Sequence, residues 1–154
     1  MGAARIIAMS RHESRQTLAR EFGATDIVAE RGEEGIARIK DLTAGVGADS
    51  VLECVGTGES FDQALACSRP GGTIGYVGVP HGVSFDGQKL FFGQKRMLGG
   101  PAPVRRFLPD LMDRVLQGRI KPGKVFDLKL PLAEVAEGYR AMDERRAIKA
   151  LLRP

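Results

Sequence analysis

Residues 5–23 read RIIAMSRHESRQTLAREFG, and the change of rhythm inside them decides the fold. Ile6, Ile7, Ala8 and Met9 make a short apolar run, the pattern of a strand buried on both faces as in a parallel sheet. A helical period follows. Ser10 and Glu13 stand at the S-x-x-E spacing of a capping box, in which the hydroxyl satisfies one free helix amide and the carboxyl another. Leu18, Ala19 and Phe22 then form one apolar stripe, and Gly23 suits the left-handed residue that closes a helix.

The same alternation continues outward. Residues 27–29 predict a short strand, and Ile36, Ile39 and Leu42 give residues 33–43 the period of a helix, ended by Gly45 and Gly47. SVLECV at 50–55 predicts a strand, followed by Gly56-Thr57-Gly58 and a helix over 59–68. Arg69-Pro70-Gly71-Gly72 breaks that helix, and TIGYVGV at 73–79 predicts a strand that Pro80 ends. Residues 81–94 read as a loop whose Leu90, Phe91 and Phe92 cover an apolar surface, and 95–98 as a strand. Leu108, Leu111, Met112, Val115 and Leu116 predict an amphipathic helix with a core-facing stripe, stopping at Gly118. Val125, Leu128 and Leu130 suggest an extended piece, 131–142 a helix with Val135 and Tyr139 on one face, and 148–152 a last strand. Strand and helix in alternation predict an α/β fold, a parallel sheet with helices on both sides.

Composition narrows the functional classes. The 154 residues suit one domain by length, with 43% hydrophobic and 27% charged residues and twenty glycines for tight turns. No apolar run reaches the roughly 18 residues of a membrane span, and MGAARIIAMSRH has too short an apolar core for a secretory signal; a cytoplasmic protein with no membrane partner is expected. Net charge is +4, but the cations are scattered among nineteen acids, and two tyrosines without a tryptophan offer no aromatic-basic interleaving to stack bases. No nucleic acid is expected. Arg105-Arg106 and the set Arg145, Arg146 and Lys149 could reach a ligand phosphate, although such clusters are most often solvated surface. Cys54 and Cys67 have no C-x-x-C partner and read as buried thiols; with His12 and His81 as the two histidines, no Cys/His set has zinc spacing, so no metal is assigned.

Two turns carry the chemistry. In a dinucleotide-binding fold the residue after the second strand meets the adenosine ribose, where an acid accepts the 2′-hydroxyl expected of NAD. Here Ser10 stands there without an acid beside it, and Arg11, His12 and Arg15 place nitrogen donors where a 2′-phosphate would lie. The turn therefore suggests NADP, with NAD as the alternative cofactor and a solvated surface turn as the plainer account. Gly56-Thr57-Gly58 mimics a pyrophosphate loop, but the third glycine of that motif falls on Phe61, and Val79-Pro80-His81 puts no acid at the next strand tip. It reads as a crevice-lining turn. Glycines inside TIGYVGV mark a place where a ligand or another backbone comes close, with a bulge or tight packing against a helix as the plainer account.

Taken together these segments resemble the zinc-type medium-chain alcohol dehydrogenases. GAARIIAMSRHES with FGATD resembles the second strand and helix of their cofactor domain, GADSVLECVGT the fourth strand, TIGYVGVP the fifth and KRMLGG the sixth. VFDLKLPLAEVAEGYRAMDERRAIKALLRP is similar to the stretch that returns to the catalytic domain. The resemblance implies a Rossmann-like doubly wound parallel sheet, incomplete because the first strand and glycine-rich loop are missing: 1–124 would be a partial dinucleotide-binding domain and 125–154 a segment of the catalytic domain. It further implies that Ser10, Arg11 and Arg15 surround the adenosine ribose or its 2′-phosphate, and that Cys54, Val55 and Gly56 line the crevice. Val77, Gly78 and Val79 would lie against the nicotinamide and its ribose, Leu98 would hold the carboxamide through its backbone, and Lys149 would approach the pyrophosphate. For Cys54, Val55, Val77 and Val79 the plainer account is strand core, and for Lys149 a surface charge.

Zinc would belong to the missing N-terminal catalytic half, without which this chain alone is expected to be inactive. The resemblance also implies a homodimer through the sixth strand and the loop before it, 81–95. The rival reading is a non-catalytic nucleotide-binding or interaction module that pairs with another chain at the exposed sheet edge. A methyl-transfer fold is a third, weakened because the turn at 10–15 lacks the acid expected directly after the strand.

Overall fold

Local sequence chemistry resolves into alternating strands and helices in the computed structural model of the protein, which describes residues 2–154. In chain order the elements are β1 (Ile7–Met9), α1 (Glu13–Glu21), β2 (Asp26–Val28), α2 (Gly32–Leu42), β3 (Ala48–Glu53), α3 (Gly58–Cys67) and β4 (Ser68–Tyr76). There follow α4 (Gly87–Phe92), β5 (Arg96–Gly99), α5 (Val104–Leu116), β6 (Leu128–Pro131), α6 (Val135–Asp143) and β7 (Ala150–Arg153). Hydrogen bonding joins the strands as β1-β2, β3-β4-β5 and β6-β7, and both of the last two groups are parallel. The expected α/β class with parallel pairing is what the chain adopts. None of the helices among the described residues is long and apolar enough to cross a membrane.

The chain forms two compact units, Val28–Pro103 and the remainder on either side of it. In the Val28–Pro103 unit, α2 packs on α3, and α3 covers β3 and β4. Ala64, Leu65 and the fully buried Ile74 form its centre, with Val51, Leu90 and Met97 against them. Phe61 is buried with its ring edge-on to Tyr76 and Phe85, at centroid distances of 5.3 and 5.2 Å. Lys95 closes the base of the unit: its ammonium donates to the carbonyls of Leu65 and Ser68 at the end of α3, taking two acceptors that a helix end leaves open. Cys67 lies buried here, and burial pushes its thiol up to about 11.

Three expectations change within this unit. β4 begins at Ser68, directly from the helix, and ends at Tyr76 instead of Val79. The Arg69–Gly72 break is a bulge inside the strand, because Ala48 pairs with Ser68 but Ser50 with Thr73. The expected loop before β5 holds the helix α4, whose start is capped by the Asp86 side chain accepting from the Gln88 and Lys89 amides. Only Leu90 of its apolar trio packs inward, whereas Phe91 and Phe92 stay exposed.

In the other unit the Thr25 hydroxyl clasps Ile6 at the foot of β1, accepting from its N–H at 2.9 Å and donating to its carbonyl. Helix α1 starts at Glu13 with His12 as its N-cap. The predicted capping box does not form, since Glu13 is then the first helical residue and not the third; Ser10 accepts from the His12 amide at 3.3 Å instead. Gly23 takes the expected left-handed φ, 101°. The apolar stripe of α5 is a second correction. None of its residues is buried, and Phe107, Leu108, Leu111, Met112 and Leu116 all face outward.

The β6-β7 pair is backed by α6, with Ala141 fully buried. Ahead of β6, the Asp127 carboxylate receives the amides of Ile148 (2.9 Å) and Lys149 (3.1 Å). Burial alone would raise this carboxyl, but the hydrogen bonds from Ile148 and Lys149 outweigh it and hold it below the ordinary aspartate range. A depressed folded value means the stabilisation is complete above the unfolded value of about 3.9 and is lost as pH falls through the folded one. Urea unfolding of wild type and Asp127→Asn should therefore differ most near neutrality and converge in acid. A gap that stays constant down to the acid transition would contradict this account.

Candidate functional site

Strands β3, β4 and β5 end level with one another: Glu53 pairs with Tyr76, and Tyr76 with Gly99. In an open parallel sheet, ligands bind outside the carboxyl ends of the strands. Residues 54–56 and 77–79 are the continuations of β3 and β4 past that line, and Leu98 sits opposite Gly75 near the end of β5. The register thus brings Cys54, Val55, Gly56, Val77, Gly78, Val79 and Leu98 to one end of one sheet.

Their exposure separates open surface from core. Val55, Val77, Val79 and Leu98 are 70%, 64%, 65% and 66% exposed, and Cys54 is exposed as well. The strand-core account of Cys54, Val55, Val77 and Val79 is set aside, and so is the expectation of a buried Cys54. Its Sγ still turns back toward the Leu52 carbonyl at 3.9 Å. Partial burial, with the neighbouring Glu53 carboxylate adding to it, pushes the thiol above its ordinary value, so it stays protonated and poorly nucleophilic.

A residue the sequence reading missed holds this end together. Glu53 is 3% exposed, and one of its oxygens, Oε1, accepts from the amides of Val55 (2.7 Å) and Gly56 (3.0 Å) and from the Ser60 hydroxyl (2.7 Å). Its backbone carbonyl receives the Val77 amide at 3.0 Å. Ser60 and Thr57 in turn cap α3 reciprocally. The signal was present in SVLECV, since a lone acid inside an apolar strand is rarely buried without partners. The Thr57-x-x-Ser60 spacing was its second half.

The two loops meet backbone to backbone. Gly56 has φ +91°, and a Cβ on it would strike the Val79 carbonyl. A Cβ on Gly78 would lie 2.5 Å from the Gly56 nitrogen and 2.8 Å from both Glu53 Oε2 and the Val55 carbonyl carbon. Of the two reasons for a bare strand glycine, the one realised at Gly78 is the approach of another backbone. The glycines let 53–56 and 77–79 lie flat together, leaving the valine side chains standing out at the sheet end.

The remaining predicted residues lie in the other unit. Ser10, Arg11 and Arg15 occupy the turn from β1 into α1, where Gln16 donates to the Ser10 carbonyl at 2.7 Å and sets the turn's path. Lys149 precedes β7, its amide held by Asp127 and its side chain lining a small hollow of about 230 Å³ with Tyr139 and Met142. Among the described residues no three His, Cys, Asp or Glu side chains gather as a metal site.

Comparison with known proteins agrees with this architecture. The zinc-binding dehydrogenase family model matches residues 1–116. The chain belongs to that family. A probable zinc-binding alcohol dehydrogenase of Mycobacterium tuberculosis is 36% identical over 99% of this chain and 40% of its own length. A zinc-type alcohol dehydrogenase B of Aspergillus flavus is 32% identical over 96% of this chain and 35% of its own length. Among solved structures, the alcohol dehydrogenase of Thermus sp. ATN1 superposes with a TM-score of 0.89 at 31% identity, over 98% of this chain and 45% of that one. Benzyl alcohol dehydrogenase of Acinetobacter calcoaceticus gives 0.87 at 27% identity, over 98% and 43%. The chain therefore spans about two fifths of the length of these relatives, and its fold is Rossmann-like.

Proposed function

We propose that this chain is the cofactor-binding part of a zinc-type alcohol dehydrogenase, acting in hydride transfer between an alcohol and a nicotinamide. The observation that carries the reading is the level ending of three parallel strands with exposed apolar residues at 54, 55, 77, 79 and 98. An aromatic nicotinamide needs such a dry, shaped wall, and a nicotinamide cofactor supplies the hydride chemistry once bound. The protein residues position it: Val77, Gly78 and Val79 against the ring and its ribose, the Leu98 backbone at the carboxamide, Cys54, Val55 and Gly56 along the crevice. Ser10, Arg11 and Arg15 take the adenosine end, and Lys149 the pyrophosphate. Residues 1–124 serve as the dinucleotide domain and 125–154 belong with the catalytic domain, whose remaining part carries the zinc.

The outward apolar face of α5 supports a further layer of protein over this chain. That face suits the rival reading too, an interaction module paired with another chain, and activity separates them: turnover on adding the catalytic part of a relative supports the dehydrogenase. For the cofactor, calorimetric titration of the 154-residue chain should give tighter binding of NADP than of NAD. The turn from β1 into α1 offers cations and no acid to the ribose 2′ position. Tighter NAD binding refutes the preference, and binding of neither refutes the cofactor role.

A further inference from the structure

We infer that Arg145, from the turn after α6, is a specificity-determining residue for a 2′-phosphate held at the turn from β1 into α1. The inference deepens the reading of that turn as an NADP site and rests on it. Arg145 has φ +61°, a backbone conformation that side-chain-bearing residues adopt at a cost. From there its Nη1 reaches Nε2 of His12, 2.9 Å away and 133 residues earlier in the chain. A guanidinium can only donate, so in this contact the imidazole nitrogen accepts.

Charge accounting separates Arg145 from its neighbour. Arg146 is bound to Glu137 at 2.8 Å and to Glu144 at 2.6 Å, which also occupies the acid adjacent to Arg145. No ion pair among the described residues includes Arg145, Arg11 or Arg15. Glu13, the acid nearest in sequence to the turn, lines a groove with Lys124 and Asp127. The turn thus has three cations without carboxylate partners, and one of them is brought by the tail of the chain. A phosphate monoester carries about −1.5 to −2 at neutral pH and accepts paired N–H groups in the fork geometry that arginine presents. Contact with His12 uses one N–H of Arg145 and leaves the others for the phosphate oxygens. A 2′-hydroxyl has no charge to recruit them, so Arg145 discriminates between the two nucleotides without adding to the affinity for the shared part.

The test is calorimetric titration of the purified 154-residue chain with adenosine 2′,5′-bisphosphate and with 5′-AMP. Wild type should prefer the bisphosphate. Arg145→Gly should weaken the bisphosphate about tenfold or more while 5′-AMP stays within about twofold. Glycine relieves the positive φ, so a lower melting temperature would not accompany the loss. If Arg11→Gln cancels the preference and Arg145→Gly leaves it intact, the role of Arg145 is overturned while the NADP reading survives. Equal binding of the two nucleotides by wild type, or binding of neither, overturns both.

Discussion

Glu53→Ala should lower the unfolding free energy by about 3–5 kcal/mol, the largest stability loss expected of any single substitution here. One carboxylate oxygen, in a side chain that is 3% exposed, takes two backbone amides and a hydroxyl. Alanine leaves the buried Gly56 amide and the part-buried Val55 amide without their acceptor, at about 1–3 kcal/mol for each orphaned donor, while the Ser60 hydroxyl keeps the Thr57 carbonyl at 2.8 Å. Glu53→Gln keeps one acceptor oxygen and should recover more than half of the loss. Urea unfolding measures both variants. A Glu53→Ala protein within about 1 kcal/mol of wild type would show that water replaces the carboxylate and that the turn at 54–56 does not depend on it.

Gly78→Ala comes second, at about 2–4 kcal/mol, because a Cβ would stand inside contact distance of backbone on the facing loop. Neither the Gly56 nitrogen nor the Val55 carbonyl carbon can move aside as a flexible side chain could, so the ends of β3 and β4 must part. Nucleotide affinity should fall with the same substitution, since the exposed valines at 55, 77 and 79 are positioned by that contact. Gly58→Ala is the internal comparison. Nothing lies within 4 Å of a Cβ there, and alanine at the first position of α3 should be neutral or stabilising by up to about 1 kcal/mol. Equal melting temperatures for the two alanine variants would remove the steric account of Gly78.

Much of the fold was legible because its signals are local. The apolar run at 6–9, the helical stripes at 36–42 and 108–116, and the β3 run at 50–53 each follow from the period of one element. The proposed site rests on resemblance more than on chemistry. Its exposed valines look like ordinary strand core in the sequence, and only the register of β3, β4 and β5 shows that they extend past the sheet.

The misses share a cause. S-x-x-E at 10–13 promised a capping box, yet the helix starts two residues later than that box requires, with the acid as its first residue; Gln16 on the Ser10 carbonyl and the contact of His12 with Arg145 hold the turn. The α5 stripe has the period of a buried face, and period alone does not supply the surface that would bury it. By itself, then, the sequence determined the α/β class, the order of strands and helices, and the basic character of the turn after β1, since each depends on side chains within a few residues of one another. Tertiary structure alone decided that Gly78 is bare for the sake of Gly56 and that Arg145 reaches His12. Those contacts join residues 22 and 133 positions apart, and such distances are closed by strand register and turn geometry, which no local pattern encodes.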